Sequence, residues 1–206
     1  MNTFISQSVP LWVYQHLPVM VFIFAFGACV GSFINVIIYR LPAGISITRP
    51  PSRCPKCFTR LTFFRDNLPI LGWLVLRGRC RYCNARISPQ YMIVESLMAL
   101  LFLGTYILLY FVQPGAAWWG AIGGPWWWTN TVFETAPAFI AIAFLLAGLI
   151  AVTVIDARTF TIPIQIPLFL TFTAFIAYPL QVYWPHASPS GQTWPIPRTT
   201  SAQIWA

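Results

Sequence analysis

Acidic residues are almost missing from this 206-residue chain: Asp66, Glu95, Glu134 and Asp156 are its only carboxylates. Charged residues of both signs reach just 8%, against the ~25% usual in soluble domains, while hydrophobic residues make up 58%. A soluble globular domain with a solvated charged face is excluded by that balance. Lysine and arginine are also absent from residues 1–18 and 113–135. The first of these gaps removes the basic n-region that a secretory signal peptide needs. What remains is the composition of a membrane protein.

The chain has four stretches near the ~20 apolar residues a bilayer requires: residues 19–39, 92–112, 136–155 and 162–183. The expected fold is therefore an all-α polytopic membrane protein of about four transmembrane helices. Ten of the twelve Lys and Arg lie within residues 40–86, where Asp66 is the only acid, a net charge of +9. Next to hydrophobic spans, the positive-inside rule places such a loop in the cytoplasm. Every other side follows. Residues 1–18 and the 113–135 loop are then external, and the 156–161 turn, with Arg158, is cytoplasmic. The 184–206 tail is external despite Arg198. Anionic lipid headgroups account for the loop's charge, and no nucleic-acid partner is expected.

Within that loop, residues 40–91, Cys54 and Cys57 form one Cys-x-x-Cys pair and Cys80 and Cys83 a second, with 22 residues between the pairs. Two such knuckles offer four thiolates, the closed tetrahedral shell that structural zinc prefers. A small cytoplasmic zinc-binding domain is expected, its net charge falling to about +7 once four thiolates hold one divalent ion. Thiols in this setting stay reduced. Cys29, alone in the first span, reads as a small packing residue.

Gly27 and Gly31 leave a small-residue groove on the first span, and Asn35 continues that face, placed for an interhelical hydrogen bond. Asp66 suits a turn or a helix cap. Glu134 is expected to be solvent-exposed at the outer start of the third span. Glu95 and Asp156 lie at the cytoplasmic ends of spans; a carboxylate within a span costs ~2.5–3.5 kcal/mol on insertion scales and is kept for a partner or a function. Glu95 reads as structural, paired with a loop arginine or with Asn35, a catalytic role being the alternative; Asp156 reads as functional. Trp118, Trp119, Trp126, Trp127 and Trp128 read as an interfacial belt. The Pro-, Ser- and Thr-rich tail reads as a linker or an interrupted sequence.

Several segments, in one order, resemble the bacterial type IV prepilin peptidases. They are GSFINVIIYRLP at residues 31–42, SRCPKC at 52–57, DNLPILGW at 66–73, LRGRCRYC at 76–83, ISPQY at 87–91 and VESL at 94–97. Together they span about residues 27–103, close to the family's whole N-terminal domain. IDARTFTIP at 155–163 is similar to the family's first catalytic segment, so Asp156 corresponds to its first catalytic aspartate. The family commonly has an Asp where Ile164 stands. Its second catalytic Asp, in a Gly-x-Gly-Asp motif, has no counterpart, for no Asp follows Asp156.

The resemblance implies a bifunctional enzyme of the bacterial cytoplasmic membrane that cleaves and N-methylates pilin-like precursors, here truncated before the second catalytic Asp. S-adenosylmethionine is implied as cosubstrate by the resemblance alone; no Gly-rich nucleotide fingerprint locates its site. The alternative is a non-catalytic, zinc-braced membrane module of a pilus or type II secretion assembly.

Overall fold

In a computed structural model, residues 11–49, 51–62, 66–111, 127 and 130–183 are described, the side chains of 11–13 and 15 excepted. Five helices order them: α1 (Leu11–Arg40), α2 (Leu71–Val75), α3 (Gln90–Tyr110), α4 (Val132–Thr159) and α5 (Gln165–Tyr183). The β pairing among these residues is limited to two isolated bridges. All the helices but α2 are long and apolar enough to cross a membrane. A helix satisfies its own backbone polar groups, which is why such apolar runs fold this way in lipid. The chain is a multi-pass membrane protein. The 113–126 part of the Trp-rich loop and the 184–206 tail lie outside the described residues.

Contacts divide the chain into two units, one of Met1–Tyr106 with Leu149–Pro163, the other of Ile107–Gly148 with Ile164–Ala206. The first unit is built on the seat of α3 against α1. A Cβ on Gly27 would lie 2.9 Å from the Cα of Ala99, and one on Gly31 only 2.7 Å from the Cα of Glu95. The two glycines thus let the backbones approach as no larger residue would. One turn on, Asn35, itself buried, donates its side-chain amide to the carbonyl of Tyr91 at 3.1 Å. Val94, Met98, Phe102 and Tyr106 form a buried ladder with i+4 spacing on α3. The Tyr106 hydroxyl meets Nδ1 of His16 at 2.8 Å. Cys29, expected to pack, is instead exposed on the outer surface of α1.

Helix ends are set locally. Ser88 caps α3, its hydroxyl accepting from the N–H of Gln90 at 3.3 Å, and Pro89 follows where a missing N–H costs nothing. Arg40, in the last turn of α1, folds its guanidinium onto the carbonyls of Ser46 and Ile47. The apolar run that ends at Ile155 does not end α4, which continues to Thr159. Ala157 and Arg158 are good helix formers, and the helix closes where Phe160 turns to φ 52° and donates its N–H to Asp156 O at 2.8 Å.

In the second unit Glu134 is buried, not solvent-exposed as its position suggested. Its carboxylate accepts the Thr131 N–H at 2.7 Å, and Thr131 Oγ1 accepts the Glu134 N–H at 3.4 Å. This reciprocal pair is a capping box, which relieves orphan donors at the start of α4. Gln181 of α5 joins it, donating to the Glu134 carbonyl at 2.9 Å and accepting the Ala138 N–H. Trp127 is buried against Leu109, with its ring edge-on to Tyr110 at 5.4 Å, so this indole packs a core at the end of α3.

Candidate metal centre and the Asp156 end of the bundle

The two knuckles are copies of one another. Residues 52–61 and 78–87 share the pattern Arg-Cys-x-x-Cys-x-x-Arg followed by Leu or Ile. The same backbone bonds recur in each. Cys54 N–H reaches Thr59 O as Cys80 N–H reaches Ala85 O, and Phe58 N–H reaches Cys54 O as Asn84 N–H reaches Cys80 O. A bridge joins Arg53 to Arg60 and Arg79 to Arg86. Phe58 and Asn84 both take positive φ, 57° and 56°, the left-handed residue that turns each knuckle back on itself. Sequence reasoning stopped at the Cys pairs and missed this repeat, though its signal was the flanking arginines.

Facing each other, the copies gather the sulfurs of Cys54, Cys57, Cys80 and Cys83 within 4.8 Å. Cys54 Sγ lies 3.8 Å from Cys83 Sγ, and Cys57 Sγ lies 4.0 Å from Cys80 Sγ. A tetrahedron of sulfurs at a Zn–S distance of about 2.3 Å has edges of about 3.8 Å, so the quartet fits a tetrahedral ion. All four are free thiols. Their titration is split by crowding. Hydrogen bonds from Thr59 bring Cys57 down to about 6. Backbone N–H groups of Cys57 and Lys56 lower Cys54. Cys83 gains a hydrogen bond from Ala85 that lowers it, but burial and the three neighbouring sulfurs push it up to about 12.

The knuckles are braced from below. Asp66 accepts the N–H and hydroxyl of Thr62 at 3.0 and 2.8 Å and pairs with Arg81 Nε at 2.9 Å, inside the second Cys-x-x-Cys. Burial opposes its charge, yet the Thr62 bonds and the Arg81 guanidinium hold its carboxyl below the ordinary range. Gly78 sits at φ 66° beneath the Trp73 indole, where a Cβ would come within 2.7 Å of the ring. Trp73 Nε1 donates to the Ile87 carbonyl at 3.3 Å. Glu95 is structural in an unforeseen way. Its carboxylate accepts the N–H of Ile70 at 2.7 Å, the residue that opens α2 at φ 61°.

Asp156 lies in the last turn of α4 and is exposed. Among the described residues no side-chain hydrogen bond or ion pair engages its carboxylate, whereas Asp66, Glu95 and Glu134 are each committed to backbone donors. Two residues on, Arg158 donates to the Gln90 side-chain oxygen. A polar cavity of about 150 Å³ opens beside it, lined by Asn35, Tyr39, Ser88, Gln90, Tyr91 and Arg158 where the ends of three helices meet. No carboxylate, Asp156 included, is among its lining residues.

Four apolar helices and a four-thiol loop between the first two define a class: membrane proteins whose extramembrane loop can be ordered by a metal ion. More specifically, residues 25–109 match the family model of the Bacterial Peptidase A24 N-terminal domain, and the curated relatives that the chain resembles are prepilin leader peptidases. It is 54% identical over 82 residues to a prepilin leader peptidase/N-methyltransferase of Myxococcus xanthus, covering 40% of this chain and 24% of that protein. A protein of the same name from Pectobacterium carotovorum is 32% identical over 192 residues, 83% of this chain and 58% of its own length. A type 4 prepilin-like proteins leader peptide-processing enzyme of Escherichia coli is 35% identical over 164 residues, 70% of this chain and 52% of its own. The chain thus spans from about a quarter to somewhat over half of these relatives. No solved structure matches it.

Proposed function

We propose that the chain is part of a membrane-embedded aspartic endopeptidase that processes pilin-like precursors, with Asp156 one of its two catalytic carboxylates. The observation that carries this reading is that Asp156 is the carboxylate left without a side-chain partner among the described residues. It stands at a helix end, in a chain with the peptidase N-terminal domain. Such an enzyme needs two carboxyl groups around one water. One is ionised and takes the proton; the other stays protonated and polarises the scissile carbonyl, because like charges so close cannot both ionise. Glu95 is bound to Ile70 and does not supply the second. That group comes from outside residues 1–206.

Cys54, Cys57, Cys80 and Cys83 hold structural zinc in this reading. A closed four-sulfur shell leaves no open position for water, so the ion orders the 40–91 loop and takes no part in hydrolysis. The loop faces the cytoplasm of a bacterial inner membrane, where the precursor's short leader would lie while its hydrophobic helix stays in the bilayer. The basic loop meets lipid headgroups and not nucleic acid. The processed amine is then N-methylated, as the relatives' names suggest, with S-adenosylmethionine the donor that the family resemblance alone implies.

The test uses membranes carrying the full reading frame that contains these residues, with a precursor of short basic leader and hydrophobic helix. Cleavage before the helix is expected, and loss of it in Asp156→Asn. Undiminished cleavage by that variant overturns the assignment.

A further inference from the structure

One helix of the loop is amphipathic in a way that zinc binding does not use. On α2, Gly72 and Trp73 face inward: a Cβ on Gly72 would stand 3.2 Å from the Asp66 carbonyl oxygen, in the segment before the helix, and Trp73 covers Gly78 at the start of the second knuckle. The opposite face, at i, i+3 and i+4, is Leu71, Leu74 and Val75, exposed by 54%, 50% and 73%. Directly after it come Arg77 and Arg79. A cavity of about 590 Å³ lies here, lined by Val75, Leu76, Arg77, Arg79, Arg81 and Asn84 among others. Three apolar side chains presented to water beside three guanidinium groups is the pattern of a membrane-surface element.

The depth of α2 is fixed independently. Ile70, at its start, is hydrogen-bonded to Glu95. Glu95 is the sixth residue of the 21-residue span α3, about 8 Å along its axis from Gln90. A helix of that length only just crosses the ~30 Å hydrocarbon core. The start of α2 is therefore tied to a point no more than about 8 Å inside the edge of that core, the layer in which interfacial helices bury their apolar face by about 5–10 Å. Ile70 keeps its left-handed backbone there, a costly conformation for a β-branched residue, which implies that the seat is enforced.

We propose that α2 is an interfacial anchor. Leu71, Leu74 and Val75 enter the acyl–headgroup boundary of the bilayer the chain spans, and Arg77 and Arg79 bind the phosphate of anionic phospholipid. The metal loop is thereby held flat against the membrane. This inference rests on the membrane-spanning helices and not on the processing reading, and it holds or fails separately from it.

The full chain is reconstituted in nanodiscs of phosphatidylcholine, alone or mixed with phosphatidylglycerol. A benzophenone amino acid replaces Val75, Phe22 on the outer face of α1, or Tyr82 at the tip of the second knuckle. Irradiation is followed by mass spectrometry of the adducts. Lipid adducts at positions 75 and 22 but not at 82 are expected. At position 75 phosphatidylglycerol should exceed its share of the bilayer, by about fivefold per arginine engaged. That excess should vanish in the Arg77→Gln, Arg79→Gln double variant and should withstand added inorganic phosphate. Lipid adducts at position 22 without any at position 75 overturn the anchor. An excess that persists in the double variant, or that free phosphate abolishes, overturns the headgroup site.

Discussion

Replacing Gly31 by alanine puts the seat of α3 on α1 to a quantitative test. The added Cβ would stand 2.7 Å from the Glu95 Cα, 3.0 Å from the Val94 carbonyl oxygen and 3.1 Å from the Met98 Cβ. Carbon atoms in ordinary contact sit about 3.5–4.0 Å apart, so the helices must part there by roughly 1 Å. Two of the three obstacles are main-chain atoms, which no rotamer change can remove. Overpacking of this kind costs about 1–3 kcal/mol. Helix propensity pulls the other way, since alanine is favoured over glycine by about 0.8–1.0 kcal/mol. Gly104, on α3, supplies the control, because a Cβ there meets nothing within 4 Å. Gly104→Ala should therefore gain stability where Gly31→Ala loses it, the two differing by about 1–3 kcal/mol. Reversible unfolding in mixed detergent micelles, followed by circular dichroism, measures that difference. Because the clash falls on Glu95, Gly31→Ala should also speed tryptic cleavage of the 40–91 loop. Equal stability of the two variants would refute the close-packed seat.

Other expectations concern the loop and the acids. The purified chain should carry one zinc, and Cys80→Ser or a strong chelator should remove it and open the loop to trypsin. Metal content near zero in a protease-resistant loop would contradict this. Glu95→Ala strands the Ile70 N–H and should cost roughly 1–3 kcal/mol, seen as faster hydrogen exchange over residues 66–76, while Glu95→Gln keeps an acceptor and should restore protection. Asp66 titrates below its ordinary value of 3.8. Its contribution is therefore complete above that pH and is lost as pH falls through the lower, folded value. Asp66→Asn should lower the loop's stability at neutral pH and flatten its fall below pH 3.8, read by hydrogen exchange over the loop across that window. Asp156→Asn should shift stability by no more than about 0.5 kcal/mol, as expected of an exposed group with no partner to lose.

How far the sequence revealed these features depended on the range of each interaction. Spans, cysteine spacing and the Gly27–Gly31 groove are carried by residues close together in the chain, and they were legible. So was the side-chain bond of Asn35, though not its acceptor at Tyr91. The Glu134 capping box was equally local, a Thr131-x-x-Glu134 signature directly before an apolar run. It was overlooked because an acid at a span's end reads first as solvated. The burial of Trp127 was not legible for a related reason: indoles cluster at interfaces by composition, and only the fold tells which one turns inward. The bond between Glu95 and Ile70 joins residues 25 apart and leaves no pattern in either segment. Neither periodicity nor spacing could have supplied it.

A membrane protein with four carboxylates can spare few of them, and their use here is a form of selection. Each buried acid meets backbone N–H groups that would otherwise lack partners: Asp66 below the knuckles, Glu95 at the opening of α2, Glu134 at the start of α4. Those three positions are explained by the cost of an unsatisfied donor away from water. Asp156 answers no such need. Its helix ends without it, through the Phe160 N–H on the main-chain carbonyl, and its carboxylate stays exposed. Among the described residues its position is therefore the one that folding does not explain, which is what the proposed catalytic role requires: a carboxylate left free for a second to join.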